Sequence, residues 1–188
     1  MHRDKYKSFD ELQDNEKENV DYAVTVRKTD SNIAVIAPHA GLIESKTSEV
    51  ALAIADDDLC LYIFEGKKHW ANFAELHVTS ENFNDPACIR LISACDYVIS
   101  IHGCGGDLEF VLLGGLDLKT RDYLADLITK TGIEAKTEGH KFLGTQTSNI
   151  CNRGKTKLGV QIEISKGLRH SANLAKLIDS IRIGLRNL

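Results

Sequence analysis

Short apolar runs of strand character alternate with helical stretches along most of this chain, and that alternation narrows its possible folds more than any other feature. SNIAVIAPHA (31–40) reads as a buried strand entering a loop, Ser48 to Ala55 as a short helix begun by Thr47 or Ser48, and CLYIFEG (60–66) as the next strand. Asp85-Pro86 opens a helix through Ala94, with proline at a first-turn position where its missing N–H costs nothing. YVISIHG (97–103) follows as a strand running into glycines, and FVLLGG (110–115) as another. Asp117 to Lys130 carries Leu118, Tyr123, Leu124, Leu127 and Ile128 at helical spacing, with Gly132 where a helix C-cap is expected. IEAKTE (133–138) and GVQIEIS (159–165) read as strands, and Ser171 to Leu188 as an amphipathic helix with a stripe of Leu174, Leu177, Ile178, Ile181 and Leu185. Such alternation belongs to a layered α/β domain. A single domain over 1–188 is expected, with the first twenty residues, rich in Asp, Glu, Asn and Lys, as a looser lead-in.

Charge and sulfur exclude several roles. A formal net charge of −4 with scattered Lys and Arg offers no general attraction to nucleic acid or anionic lipid, so neither is expected as a partner. An acidic substrate must then be held by a local basic site. No apolar run approaches the roughly 18 residues of a membrane span, and the start MHRDKYKSFDEL has no signal-like apolar region. A cytoplasmic, monomeric protein is expected, released on lysis if it derives from a phage. The five cysteines, Cys60, Cys88, Cys95, Cys104 and Cys151, include no C-x-x-C pair and read as reduced thiols.

In open α/β sheets functional side chains gather beyond the C-terminal ends of the strands. One strand end delivers His39, with Glu44 five residues on; another delivers His102; the GVQIEIS strand carries Glu163. Two imidazoles and a carboxylate form the ligand set of a catalytic zinc site with a position left for water. Zinc would lower the pKa of that water toward about 7 and polarise a carbonyl, while a separate carboxylate takes the proton. Glu163 is the candidate base. Each residue also has a plainer reading: a strand-end histidine is often a hydrogen-bonded structural residue, and alternation could place Gln161 and Glu163 on a solvated face.

His77 could be a substrate contact, a group supporting the ligands, or a ligand, with contact ranked first. His69, His140 and His170 sit in charged surroundings and are expected to be exposed, and His2 belongs to the N-terminal lead-in. Cys104 reads as a small packed thiol more readily than as a metal contact. Asn149, Asn152 and Arg153 lie in a polar loop before the Glu163 strand. Arg with Asn suits a carboxylate, because the guanidinium fork can bind both oxygens; a solvated basic loop with Lys155 and Lys157 is the alternative.

Taken in order, PHAGLIE, ELHVTSENFNDP, the S-x-H-G of YVISIHG, LGGL, NICNRG and GVQIEIS resemble the phage and bacillar poly-γ-glutamate hydrolases, also labelled phage-related replication proteins, over about residues 5 to 185. The resemblance implies a compact relative of zinc carboxypeptidases: a three-layer open mixed β-sheet with helices on both faces. It implies a zinc-dependent hydrolase of γ-glutamyl amide bonds, with an acidic polymer or peptide, poly-γ-glutamate, as substrate. Residue by residue it assigns His39, Glu44 and His102 as zinc ligands and Glu163 as general base. Asn152-Arg153 resembles the pair with which carboxypeptidases grip a substrate carboxylate. Other amide substrates, or a non-catalytic binding domain of the same fold, are the alternatives, and Glu163 favours an enzyme. The chain departs from the family in Leu42 where a second glycine follows PHAG, in the GCGGD segment after His102, and in a C-terminal helix ending at Leu188, which implies a shorter cleft wall. The His39-to-Glu44 spacing is also wider than the H-x-x-E of ordinary carboxypeptidases.

Overall fold

A computed structural model describes residues 4–188; His2 lies outside the described residues. In chain order the elements are α1 (Phe9–Asn15), β1 (Tyr22–Arg27), β2 (Ile33–Gly41), α2 (Thr47–Ala55), β3 (Cys60–Gly66), α3 (Asn72–Leu76), α4 (Pro86–Ile92), β4 (Tyr97–Cys104), β5 (Phe110–Gly115), α5 (Leu118–Thr129), β6 (Glu134–Lys136), a 3₁₀ turn (Ile150–Arg153), β7 (Val160–Ser165), α6 (Lys166–Arg169) and α7 (Leu174–Leu185). The strands form one seven-stranded sheet in the order β1-β3-β2-β4-β7-β5-β6. β3, β2, β4 and β7 run parallel, while β1 and β5 join antiparallel at either side. The expected mixed sheet of an α/β domain is therefore present.

Strand alternation sorts the core into two layers. Val35, Leu61, Ile99, Val111 and Ile162 point to one face, covered by α2, α5 and α7 through Val50, Ile54, Leu124, Ile128, Leu177 and Ile181. Ala34, Ile36, Tyr62, Phe64 and Val98 point to the other, covered by Tyr6, Phe9, Leu12, Leu76, Phe83 and Leu91. The stripe read on α7 packs as expected, with Leu174 and Ile178 at its partly buried margin. Leu118 of α5 is exposed instead, and Thr120 and Ala125 take the inward positions beside Leu124 and Ile128.

The N-terminal region departs from expectation. Its described residues, from Asp4 on, are not a loose lead-in: Ser8 caps α1 through Glu11 N–H, and Phe9 and Leu12 are buried among Tyr22, Phe64 and Phe83. A short helix with two anchoring apolar residues has too little periodicity to stand out among so many charges. At α2 the hydroxyls also serve differently, because Lys46 occupies the N-cap in a left-handed conformation, Thr47 Oγ1 donates to Glu44 O, and Ser48 Oγ accepts from Gly41 N–H. Both side chains thereby shape the loop that carries Glu44.

Two details of the sheet create the site. From β2 the chain crosses to β3 on one side and later to β4 on the other, so the crevice beyond the C-terminal ends of β2 and β4 is a topological switch point. Strict alternation would place His39 on the same face as Val35 and Ala37, away from His102. The β2–β3 register, however, shifts between Ala37 and Ala40, giving β2 one residue more than its partner. A bulge of this kind re-aims a side chain, and here it turns His39 toward Phe83 on the face that also carries Val98, Ser100 and His102. On that face β4 and β7 become polar at Ser100, His102, Gln161 and Glu163, all of them buried.

Candidate metal centre

His39, Glu44 and His102 converge at this switch point. The two Nδ1 atoms are 3.1 Å apart. Glu44 Oε1 lies 3.4 Å from Nδ1 of His39, and Oε2 lies 3.7 Å from Nδ1 of His102. Their outer atoms are committed elsewhere: His39 Nε2 donates to Val78 O at 2.7 Å, since a carbonyl can only accept, and His102 Nε2 pairs with Ser100 Oγ at 2.8 Å. Glu44 Oε2 also accepts from Gly103 N–H at 2.7 Å. Gly103 cannot carry a side chain without moving the Arg169 guanidinium packed against it.

Charge in the site follows from burial and pairing among its own residues. Burial works against protonation of His39, but the Glu44 carboxylate outweighs it and holds the His39 pKa above its ordinary value. For Glu44 burial opposes ionisation, and His39 outweighs it, keeping the carboxyl below the usual range. His102 is pushed down to about 3 by burial against the pull of Glu44. Two imidazoles and a carboxylate thus face one point, where a cation would serve all three. Two inward Nδ1 atoms, outward nitrogens held by hydrogen bonds and an adjacent carboxylate match in kind the donors and outer support that zinc would need. The residues fit the ion.

Glu163 pairs with His102 across the parallel β4–β7 ladder, so both side chains stand on one face. Gln161 does share that face, as alternation allows, yet the face is not solvated: Glu163 is 5% exposed, and Gln161 Nε2 donates to its Oε1 at 3.1 Å. Asn149 in turn donates to Gln161 Oε1 at 2.9 Å. Burial, reinforced by the Glu44 charge, raises the Glu163 pKa well above its ordinary value. His39, Glu44, His77, His102 and Glu163 open together onto a cavity of about 450 Å³, with Lys141 on its wall. A larger cleft of about 750 Å³, lined by Tyr97, Tyr123 and Leu188 among others, lies at the opposite ends of the strands, away from these residues.

His77 lies between His39 (centroids 4.1 Å apart) and Phe73 (4.6 Å). With His39 and Glu44 it forms a group whose potential ligand atoms lie within 4.8 Å of one another, so the geometry admits His77 as a ligand as well as a contact. Burial, reinforced by the His39 charge, pushes its pKa down to about 4. Cys104 also lines the cavity, and burial pushes its thiol up to about 11, which suits a packed thiol better than a ligand. All five cysteines are free and buried. His69 is exposed as expected, and so is His170, whereas His140 is half-buried against Leu113 O.

The expected carboxylate grip by Asn152 and Arg153 is corrected by the geometry. Asn152 is buried and fully used by backbone: Oδ1 accepts from Leu116 N–H, and Nδ2 donates to Gly144 O and Gln146 O. Arg153 turns the other way, toward Phe83 O at 3.4 Å, and neither residue lines the cavity. The 3₁₀ turn sets this direction, presenting Asn149 inward and spending Asn152 on closing the 144–152 loop. Two charged groups escaped the sequence reading. Lys141 had no local signal, standing in an irregular loop. Arg169, 6% exposed, follows β7 and donates from Nη1 to Cys104 O and Ile164 O, leaving Nε unpartnered.

Comparison with known proteins agrees with this architecture. The profile of the family described as poly-gamma-glutamate hydrolase matches residues 6–177. The SPβ prophage-derived protein YoqZ of Bacillus subtilis strain 168 is 36% identical over 164 residues, covering 86% of this chain and 59% of YoqZ. This chain therefore spans less than two thirds of that relative. A solved bacteriophage poly-γ-glutamate hydrolase superposes with a TM-score of 0.94 at 27% identity, covering 98% of each chain. The zinc-free apo structure of YndL superposes with a TM-score of 0.91 at 31% identity, again over 98% of each chain.

Proposed function

Since the chain belongs to the poly-γ-glutamate hydrolase family, we propose that it is a zinc-dependent hydrolase of γ-glutamyl amide bonds, with His39, Glu44 and His102 holding the ion. The observation that carries this reading is the convergence of two Nδ1 atoms and a carboxylate within 3.1–3.7 Å, beside a second buried carboxylate on the same cavity. Bound there, zinc would polarise the scissile carbonyl and acidify a coordinated water.

The chain's own residues supply the remaining chemistry. Glu163 accepts a proton from the attacking water and returns it to the amide nitrogen, so the C–N bond breaks with an amine as leaving group. A raised pKa suits a group that must hold that proton between the two transfers. Gln161, anchored by Asn149, fixes the carboxylate by donating to Oε1. Lys141 is the cation available on the cavity wall for a substrate carboxylate, and His77, on the same cavity, is a second contact. Without a proton to move, the buried Glu163, whose pKa is raised, would only cost folding energy.

The five buried free thiols support synthesis in the cytoplasm as a reduced protein. Among the described residues no helix is long and apolar enough to cross a membrane. The deciding experiment couples zinc content to shortening of poly-γ-glutamate on one preparation. Loss of both on chelation and their return with zinc is expected; full activity after exhaustive chelation would overturn the proposal.

A further inference from the structure

The N-terminal segment reaches the candidate centre through one side chain. Asp4 Oδ1 pairs with His77 Nδ1 at 2.7 Å, while Oδ2 accepts from Thr79 N–H at 2.7 Å and from Thr79 Oγ1 at 2.6 Å. Both carboxylate oxygens are thus spent on the two ends of a three-residue stretch. Its middle residue supplies the Val78 carbonyl that accepts from His39 Nε2. That carbonyl decides which His39 nitrogen carries hydrogen, and so which nitrogen is left to face Glu44 and His102.

Asp4 is not needed merely to fasten the N-terminal segment. Tyr6, Phe9 and Leu12 are buried in the core, Lys5 pairs with Glu16 and Glu75, and Phe9 N–H donates to Asn84. We infer that Asp4 is a positioning residue for the metal centre: clamping His77 and Thr79, it holds the Val78 carbonyl against His39 Nε2 and keeps Nδ1 turned to the ion. Asp4 touches none of His39, Glu44 or His102 and acts on them through the backbone of residues 77–79. The metal-affinity arm of the inference rests on the zinc reading above; the arm concerning the His39 tautomer stands on the protein alone.

The test compares Asp4→Asn and Asp4→Ala with Lys5→Met in the full chain. Zinc affinity is read by competition with a chromogenic chelator, and the His39 tautomer by ¹H–¹⁵N imidazole spectra of zinc-free protein at alkaline pH, where the rings are neutral. Both Asp4 variants are expected to loosen zinc by about 10–100-fold, the usual range for losing an outer-shell partner, and to weaken the His39 Nε2–H signature. Lys5→Met should lower Tm and leave zinc affinity and the His39 signal unchanged. Folded Asp4→Asn with wild-type zinc affinity and an unaltered His39 spectrum would overturn the inference. So would equal loosening of zinc by Lys5→Met, which would reduce Asp4 to a tether. If the parent protein binds no zinc, the zinc reading fails and the spectra still decide the role of Asp4.

Discussion

His39 and His102, sixty-three residues apart, turn their Nδ1 atoms toward each other at 3.1 Å. They come from adjacent parallel strands paired Ile33 to Tyr97 at their base, so the two ladders reach the same height at the switch point. The contact depends on the bulge in β2, which brings His39 to the His102 face. Two Nδ1 atoms this close must share a hydrogen or admit an ion, and Glu44, within 3.7 Å of both, favours positive charge between them.

About one zinc per chain is the first expected outcome. Elemental analysis of the purified protein checks it, and His39→Ala with His102→Ala should abolish the binding while the apolar core keeps the fold. Wild-type zinc content in that double variant would place the ion elsewhere, and His77 with Glu44 would be examined next.

The polar loop before β7 yields a prediction opposite to the one its sequence suggests. Arg153→Ala should leave kcat/KM nearly unchanged, because its guanidinium faces Phe83 O and not the cavity. Asn152→Ala should destabilise by about 2–4 kcal/mol, through three lost hydrogen bonds of about 0.5–1.5 kcal/mol each. Lys141→Ala should raise KM for an acidic substrate by up to about fivefold, the scale of an exposed ion pair. A large kcat/KM loss in Arg153→Ala with stability intact would restore the Asn-Arg grip.

What the sequence made legible was local chemistry at strand ends. His39, Glu44, His102 and Glu163 could be singled out because they are titratable residues in or just beyond apolar strands, and the alternation of elements sufficed for the layered fold. The residues that complete the site arrive from far along the chain. Asp4 meets His77 over 73 positions, and Arg169 meets Cys104 over 65. No periodicity records such contacts. The β2 bulge has no pattern either, since one inserted residue looks like ordinary strand until its partner's register is known. For Asn152-Arg153 the motif was visible but its direction was not, because a single 3₁₀ turn decides which side chains face inward.

Acid should undock the N-terminal segment before the sheet melts. Burial would raise the pKa values of Asp4 and Glu16, but hydrogen bonds from Thr79 and His77 to Asp4, and from Lys68, Tyr6 and Lys5 to Glu16, outweigh it and hold both below their ordinary values. Depressed carboxylates stabilise the folded state above their unfolded pKa, and this stabilisation is lost as pH falls through the folded values, hence below about pH 4. Tm measured against pH should drop steeply there, with a shallower drop in Glu16→Gln. Superimposable acid limbs would show that these pairs contribute nothing.

Glu163→Gln separates activity from stability most cleanly. Glu163 is 5% exposed and its pKa is raised, first by burial and then by Glu44. A carboxyl with a raised folded pKa disfavours folding once pH exceeds its unfolded value near 4.5, and the penalty grows until the folded group also ionises. Glutamine removes that penalty, keeps the shape, and loses the ability to take a proton. The zinc-free variant should therefore melt at or above the parent temperature at neutral pH, and its zinc affinity should be unchanged because Glu163 lies outside the ligand set. Turnover of poly-γ-glutamate should fall by about 10²–10⁴, the usual cost of removing a general base. A solvated strand carboxylate would behave differently, with activity and stability both close to the parent. Calorimetry, zinc content and polymer shortening on one preparation distinguish the cases. Near-normal hydrolysis with zinc retained would remove Glu163 from the proton path and pass that role to His77, a proton-accepting side chain on the cavity wall beside His39.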